Sequence, residues 1–295
     1  MANVARVRRK ALPYSFVLPL SALLLLVNFY PILYSLRLSL STWPIEKFME
    51  GPTFVGLANY QKLLDSERLW GSVGFMLFYV VSSVVLVFLF GTIVALLLDS
   101  RLLARGLIRS VVVLPIAVAP LVVALTWRNL FDVDFGPINY FLGRLGLGPI
   151  LWLSTLPWAQ IAIVIVDVWS HVPFVGIVLL AGLQAIPDQY YEAGRIDGGN
   201  RWRLFWAITV PLLRPAFLVA AVVLTTNAVR MFDLSYALTQ GGPRATTETL
   251  AFFAWVQAFQ SFNLPLGAAV SWFVFALNLA ITLVFVRLLY VKLEV

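Results

Sequence analysis

The stretch Leu69–Leu98, LWGSVGFMLFYVVSSVVLVFLFGTIVALLL, runs for 30 residues without a charge and is closed by Asp99. A helix needs about 20 apolar residues to cross a hydrocarbon core roughly 30 Å thick, so this stretch reads as a membrane span. Similar stretches lie on both sides of it. Leu12–Leu36 precedes it and contains Pro19 and Pro31, which membrane helices tolerate. Ser110–Trp127 is charge-free between Arg109 and Arg128, and Trp158–Leu183 holds Asp167 and His171. A fifth span starts near Ile208 and ends near Phe232. Thr249–Val286 carries no charge but is too long for one span; it divides into a surface helix, Ala251–Gln260, and a sixth span, Leu266–Tyr290. The expectation is an all-α integral membrane protein with six transmembrane helices in a single transmembrane domain, residues 1–295.

Composition agrees. Of 295 residues, 61% are hydrophobic and 12% charged, with a mean hydropathy of +0.91. Soluble chains average about 45–50% apolar and about 25% charged. This balance excludes an ordinary soluble enzyme, a disordered tail and a nucleic-acid-binding domain. There is no cysteine and one histidine, which excludes disulfides, thiolate metal sites, cysteine nucleophiles and multi-histidine metal sites; no metal site is expected. The net charge of +7 is explained by topology. With the N-terminus inside, 13 of the 21 basic residues fall on inner segments, among them Arg6, Arg8, Arg9, Lys10, Arg101, Arg105, Arg109 and Arg201. Counted with their acids, including Glu294, the inner segments carry the positive excess and the outer segments balance to zero. The positive-inside rule then places both termini in the cytoplasm. The basic start followed by an apolar run resembles a signal peptide, but no A-x-A type cleavage site follows, so it reads as an uncleaved first helix.

The segment between spans four and five, LQAIPDQYYEAGRIDGGNRWRLFWAITVPLLRP over Leu183–Pro215, is unusual for a membrane-protein loop. Pro187 ends one helix, and Asp188 suits the start of another because its carboxylate can accept from orphan N–H groups. Tyr190, Tyr191, Ala193 and Ile196 supply apolar area beside Glu192, Arg195 and Asp197. Gly198-Gly199 allows a turn that other residues enter with strain, and Asn200 can cap a second short helix bearing Trp202, Phe205 and Trp206. Chemistry alone leaves two readings: a helix pair lying on lipid, or a docking surface for a soluble partner.

Glu192-Ala193-Gly194, three residues, Gly198, nine residues, then Ile208-x-Val210-Pro211 resembles the E-A-A-x3-G-x9-I-x-L-P loop of permease subunits of bacterial ATP-binding-cassette importers. Gly194 stands for the usual second alanine and Val210 for leucine; glycine costs about 1 kcal/mol relative to alanine in a helix, which predicts a looser first helix. Leu183–Pro187, Trp169-x-x-x-Pro173-Phe174, Phe232-Asp233-Leu234, Leu238-Thr239-x-Gly241-Gly242-Pro243 and Gly56–Tyr60 are similar to the carbohydrate branch, of maltose, trehalose and glycerol-phosphate type. The resemblance covers nearly the whole chain. It implies the type I importer permease fold, N-in and C-in, in the inner membrane, and a translocation subunit passing a sugar delivered by an extracytoplasmic solute-binding protein. Its implied partners are a second homologous permease, two cytoplasmic ATPase subunits, the binding protein, the sugar and membrane lipid, with no nucleic acid. The chain has no G-x-x-x-x-G-K-[ST] loop, so ATP and Mg belong to the partner ATPase, no cofactor binds this chain and the chain is not an enzyme. The coupling loop would be residues 184–211, with Tyr191, Glu192, Ala193, Gly194, Ile196, Asp197, Gly198 and Pro211 contacting the ATPase.

Asp167 is the one acid deep in a span, and a charge there needs a partner or a wet cavity. Arg230, near the outer end of span five, is the candidate for an ion pair in the membrane. His171, four residues on, shares its helical face and is placed either to bond that carboxylate or to line the path. By resemblance the solute-contact positions include Ser170, His171, Phe174, Asn227 and Met231, with Leu224 and Ala228. Ser170, His171 and Asn227 offer hydrogen bonds and Phe174 an apolar face for a sugar ring. The alternative function is a stand-alone secondary solute transporter, which needs a coupling-ion site and repeated halves; no convincing internal repeat is present. An integral-membrane enzyme would rest on Asp167 and His171 alone, a thin catalytic set.

Overall fold

The computed structural model describes residues 2–100 and 105–293; Arg101 and Glu294 lie outside the described residues. The chain forms two compact units, Met1–Asp65 with Ala254–Trp272, and Ser66–Phe253 with Phe273–Val295. Among the described residues, five helices are long and apolar enough to span a membrane, and a sixth span is reached when one bent pair is counted.

In the first unit, α1 (Ala2–Ser39) leads into a two-stranded antiparallel ribbon, β1 (Ser41–Thr42) with β2 (Thr53–Phe54), and then α2 (Ala58–Leu64). Asn59 explains this corner. Its Nδ2 donates to the Ser39 carbonyl at 2.8 Å and the Ser41 carbonyl at 2.7 Å, while Tyr60 Oη and Ser39 Oγ share a hydrogen bond of 2.8 Å. Ser39 and Ser41 are buried, and a buried carbonyl left unpaired is costly; the Asn-Tyr pair seals the end of α1. The expected surface helix Ala251–Gln260 exists as a helical segment over Leu250–Gln260 but is not a surface helix. Phe252, Phe253, Ala254 and Val256 are all buried, because a segment without charge gains more from packing than from water.

The second unit is organised on α3 (Glu67–Asp99) and α7 (Trp158–Gln184). They cross through paired small residues. A methyl built on Gly91 would fall 2.7 Å from Val175 Cγ1, and one on Gly176 would fall 2.9 Å from Val94 Cγ1. Each glycine receives the other helix's valine, the close approach that membrane helices favour. Between them lie α4 (Arg105–Val113), α5 (Pro120–Leu130) and α6 (Pro137–Arg144). Here the structure corrects the sequence reading: Ser110–Trp127 is not one straight span. Gly106–Ala117 and Pro120–Leu130 meet at a 99° bend. Pro115 and Pro120 lack N–H donors, and the residue before a proline is driven to extended backbone; Ala119 has φ −60° and ψ 137°.

After α7 come α8 (Asp188–Ile196), α9 (Arg201–Leu204) and α10 (Val210–Val229). Residues Phe205–Thr209 form a π turn joining α9 to α10, so the helical run is unbroken from Arg201 to Val229. The fifth span therefore starts earlier than Ile208 and includes the second short helix. The helical segment starting at α11 (Leu250–Trp255) precedes α12 (Leu264–Leu293), which contains the sixth span.

Candidate functional site

A cavity of about 650 Å³ lies in the second unit, walled by α3, the bend before α5, α7 and the end of α10. All five expected solute contacts, Ser170, His171, Phe174, Asn227 and Met231, line it, as do Asp167 and Arg230. Ser170 and His171 are half-buried three and two residues before the α7 proline-phenylalanine pair, and Ser170 Oγ donates to the Val166 carbonyl at 2.8 Å. Leu224 and Ala228 are buried and border a small void beside Asp167 and Ser83. The proline bend contributes Pro115, Ile116, Val118 and Pro120. A straight helix would not open this space.

The expected Asp167–Arg230 ion pair is not formed: among the described residues no ion pair joins them. Tyr79 Oη donates to Asp167 Oδ1 at 2.6 Å, and His171 Nδ1 lies 3.1 Å from both Oδ1 and the Asp167 carbonyl. Tyr79 and Asp167 are 1% and 5% exposed, so these bonds stand in for water. The physical reason is access: α3 packs directly on α7, whereas Arg230 caps the end of α10 and stays exposed. Tyr79 was hidden in a run read only for its lack of charge; its signal was a phenol in a span facing a lone acid.

A second polar centre was also missed. Glu248, 1% exposed, accepts from Arg68 Nε at 3.0 Å, Arg68 Nη2 at 2.6 Å and Ser72 Oγ at 3.2 Å. The Arg68 guanidinium sits 5.3 Å above the Phe253 ring. This fork holds the loop after the Gly-Gly-Pro segment against the start of α3. Thr249 Oγ1 donates to the Met231 carbonyl at 2.7 Å, tying the same loop to the cavity wall.

In the segment between α7 and α10, no side chain of α8 is buried. Glu192, Ala193 and Asp197 are exposed, Ile196 is 87% exposed and Trp202 71%. Tyr191 is half-buried, its hydroxyl 2.9 Å from Thr209 Oγ1 in the π turn. Helix α8 ends in a Schellman motif: Gly199 N–H donates to the Gly194 carbonyl at 2.9 Å and Gly198 N–H to Arg195 at 3.0 Å, with Gly198 at φ +78°. Asn200 Oδ1 caps α9 by accepting from Arg203 N–H at 2.8 Å. A methyl on Gly194 would fall 2.5 Å from Leu204 Cδ2 and 3.1 Å from Ile208 Cδ1, so Leu204 packs into the space a side chain there would take. Pro211 is half-buried within the continuous helix rather than displayed with α8.

Long apolar helices, a mixed polar and aromatic cavity walled by α3, α5, α7 and α10, and an exposed helix pair after α7 fit a membrane protein that passes a solute. Residues 87–293 match the family described as binding-protein-dependent transport system inner membrane component. The chain is 37% identical over 290 residues, 97% of its length and 96% of the relative's, to the trehalose/maltose transport system permease protein MalF of Thermococcus litoralis. It is 30% identical over 274 residues, 93% and 89% of the two lengths, to the sulfoquinovosyl glycerol transport system permease protein SmoG of Agrobacterium fabrum. Among solved structures, a chain of a bacterial ABC transporter involved in the import of alginate superposes with a TM-score of 0.83 at 20% identity, covering 98% of each chain. The chain belongs to the binding-protein-dependent inner-membrane permease family. It is a multi-pass inner-membrane permease subunit of an ABC importer and not an enzyme, since ATP hydrolysis belongs to a separate subunit.

Proposed function

We propose that this permease carries a carbohydrate across the inner membrane in an ATP-driven importer, together with a second permease, two ATPase subunits and an extracytoplasmic solute-binding protein. One observation carries the reading. Ser170, His171 and Asn227, which offer hydrogen bonds, converge with the Phe174 ring on one cavity of about 650 Å³. Sugars present hydroxyl edges and apolar ring faces, and such a lining meets both. The names of the trehalose/maltose and sulfoquinovosyl glycerol relatives point the same way.

In this reading α8 is the seat of the ATPase. Glu192 has no ion pair among the described residues and meets a basic group of the partner. Ile196, with 87% of its surface open, fills an apolar part of the partner's groove. Tyr191 and Gly194 act inward, fixing α8 to the fifth span. ATP and Mg remain on the partner.

The test is reconstitution of the four kinds of subunit in proteoliposomes with trehalose or maltose on the binding-protein side. Accumulation that needs ATP and stops when Asn227 and Phe174 are both replaced by alanine supports the reading. Accumulation driven by an ion gradient without the ATPase, or none with any carbohydrate tried, overturns it.

A further inference from the structure

A second polar recess lies in the same unit, about 260 Å³ in volume, lined by Arg128, Asp132, Ser154, Thr239 and Gln240. From it we infer an outer carbohydrate subsite, filled by one sugar ring before the solute reaches the membrane cavity. This inference rests on the carbohydrate reading above.

Three observations support it. The first is placement. Both spaces are built on the same two elements. Helix α5 gives Val123 to the inner cavity and Arg128 to the recess, and the turn after α10 gives Leu234 to the first and Leu238 to the second. Five residues of helix are about 7.5 Å, so the recess lies that much further along α5 than the cavity, at the end that the topology expected from the charge balance places outside. Arg128 Nη1 donates to the Ala237 carbonyl at 3.3 Å, tying the two elements together between the sites.

The second is chemistry. Arg128 and Asp132 line one recess, yet among the described residues neither has an ion pair. Arg128 uses one of its five N–H donors on Ala237. Asp132 Oδ1 accepts from the N–H groups of Asp134 and Phe135, and Oδ2 is left over. An anionic ligand would meet the carboxylate and a cationic one the guanidinium. A neutral polyol suits both, because each hydroxyl donates to Asp132 and accepts from Arg128. At the roughly 30 Å³ a water takes in the liquid, the recess has room for about eight or nine waters, the scale of one sugar ring. The third is the backbone. Gln240 stands at φ +52° with an exposed side chain, although glycines follow it at 241 and 242. A left-handed glutamine where glycine is available one residue away is the kind of outlier that collects at functional sites.

The experiment uses the full importer in proteoliposomes with maltose and trehalose, and measures ATPase stimulation by the sugar-loaded binding protein alongside sugar imported per ATP hydrolysed. The variants are Arg128→Gln, Asp132→Asn and Gln240→Gly. Failure to hold the sugar during hand-over lets it escape while ATP is still consumed. In Arg128→Gln and Asp132→Asn, sugar imported per ATP falls about tenfold, the factor given by one lost hydrogen bond to a charged group. Stimulation of the ATPase and the binding-protein concentration for half-maximal stimulation stay within about twofold in all three variants, and Gln240→Gly lowers sugar imported per ATP less than the other two. Weaker stimulation with a raised binding-protein requirement would make the recess a protein-docking surface and overturn the inference. An unchanged ratio of sugar to ATP in all three variants would overturn it as well. If the unsubstituted importer moves neither sugar, it is the carbohydrate reading that fails, a result distinct from both.

Discussion

The buried Tyr79–Asp167 bond gives the sharpest test of how the membrane charge is held. Tyr79→Phe removes one hydroxyl and nothing else. The bond is 2.6 Å long, and its partners are 1% and 5% exposed, so no bulk water replaces the lost donor. Hydrogen bonds to charged groups contribute about 1.5–3 kcal/mol, which corresponds to a factor of about ten to a hundred in the folded population. Asp167→Asn lowers the need for that donor by neutralising the acceptor. The double variant should therefore lose less than the two single losses together, with a coupling of at least about 1 kcal/mol. The parallel cycle of Arg230→Gln with Asp167→Asn should couple by no more than about 0.5 kcal/mol, since no ion pair joins the two. Equilibrium unfolding of the purified permease in mixed micelles measures both cycles. Strong coupling to Arg230 with none to Tyr79 would refute this account of Asp167 and restore the ion pair expected from sequence.

Three further outcomes are expected. Cysteine introduced at Lys62 should react with an impermeant maleimide from outside and cysteine at Arg201 should not, which the cysteine-free background makes direct; labelling of position 201 in sealed cells would reverse the topology. Gly198→Val places a branched side chain at φ +78°, a strain of about 1–2 kcal/mol, and Glu192→Lys reverses the exposed charge on α8. Both should abolish uptake while leaving membrane insertion intact, and Glu192→Lys should also lose the ATPase on copurification; normal uptake in both would remove α8 from the coupling path. Asn59→Ala leaves two buried carbonyls unpaired, an expected loss of about 1–3 kcal/mol in unfolding free energy, and a change under 0.5 kcal/mol would show that water takes its place.

The spans were legible because the bilayer imposes one requirement, a long apolar run, that a single sequence displays openly. Leu69–Leu98 became α3 with two residues added at its start and one at its end. The break inside Ser110–Trp127 was not legible, although Pro115 and Pro120 were in view. Prolines also occur inside Leu12–Leu36 and α7 without ending those helices, so proline alone does not say where a helix turns. The cavity residues of α7 and α10 could be named because the segments that follow them resemble those of the sugar-importer permeases. Their partners could not. Tyr79 and Asp167 are 88 positions apart and Arg68 and Glu248 are 180 apart, and no local period reports which distant helix a face will meet. At Gly194 the sequence suggested a looser helix but could not report that Leu204 packs into the place of the missing methyl.

The run from Arg201 to Val229 has 29 residues, about 44 Å of helix, and acts as a lever. Tyr191 grips it at Thr209 near the cytoplasmic end, while Val223 and Asn227 line the cavity near the other, with Arg230 at its cap. Rocking such a rod by about ten degrees around its middle carries each end about 4 Å. Ser170, His171 and Phe174 belong to α7, which is keyed to α3 by the Gly91 and Gly176 contacts and meets the rod near its middle, where Gly182 lies against Leu213 and Ala216. In the coupling proposed above, a stroke delivered to α8 would pivot the rod about that contact and shift Asn227 and Arg230 relative to the α7 side of the cavity, with the backbone hydrogen bonds of the rod intact.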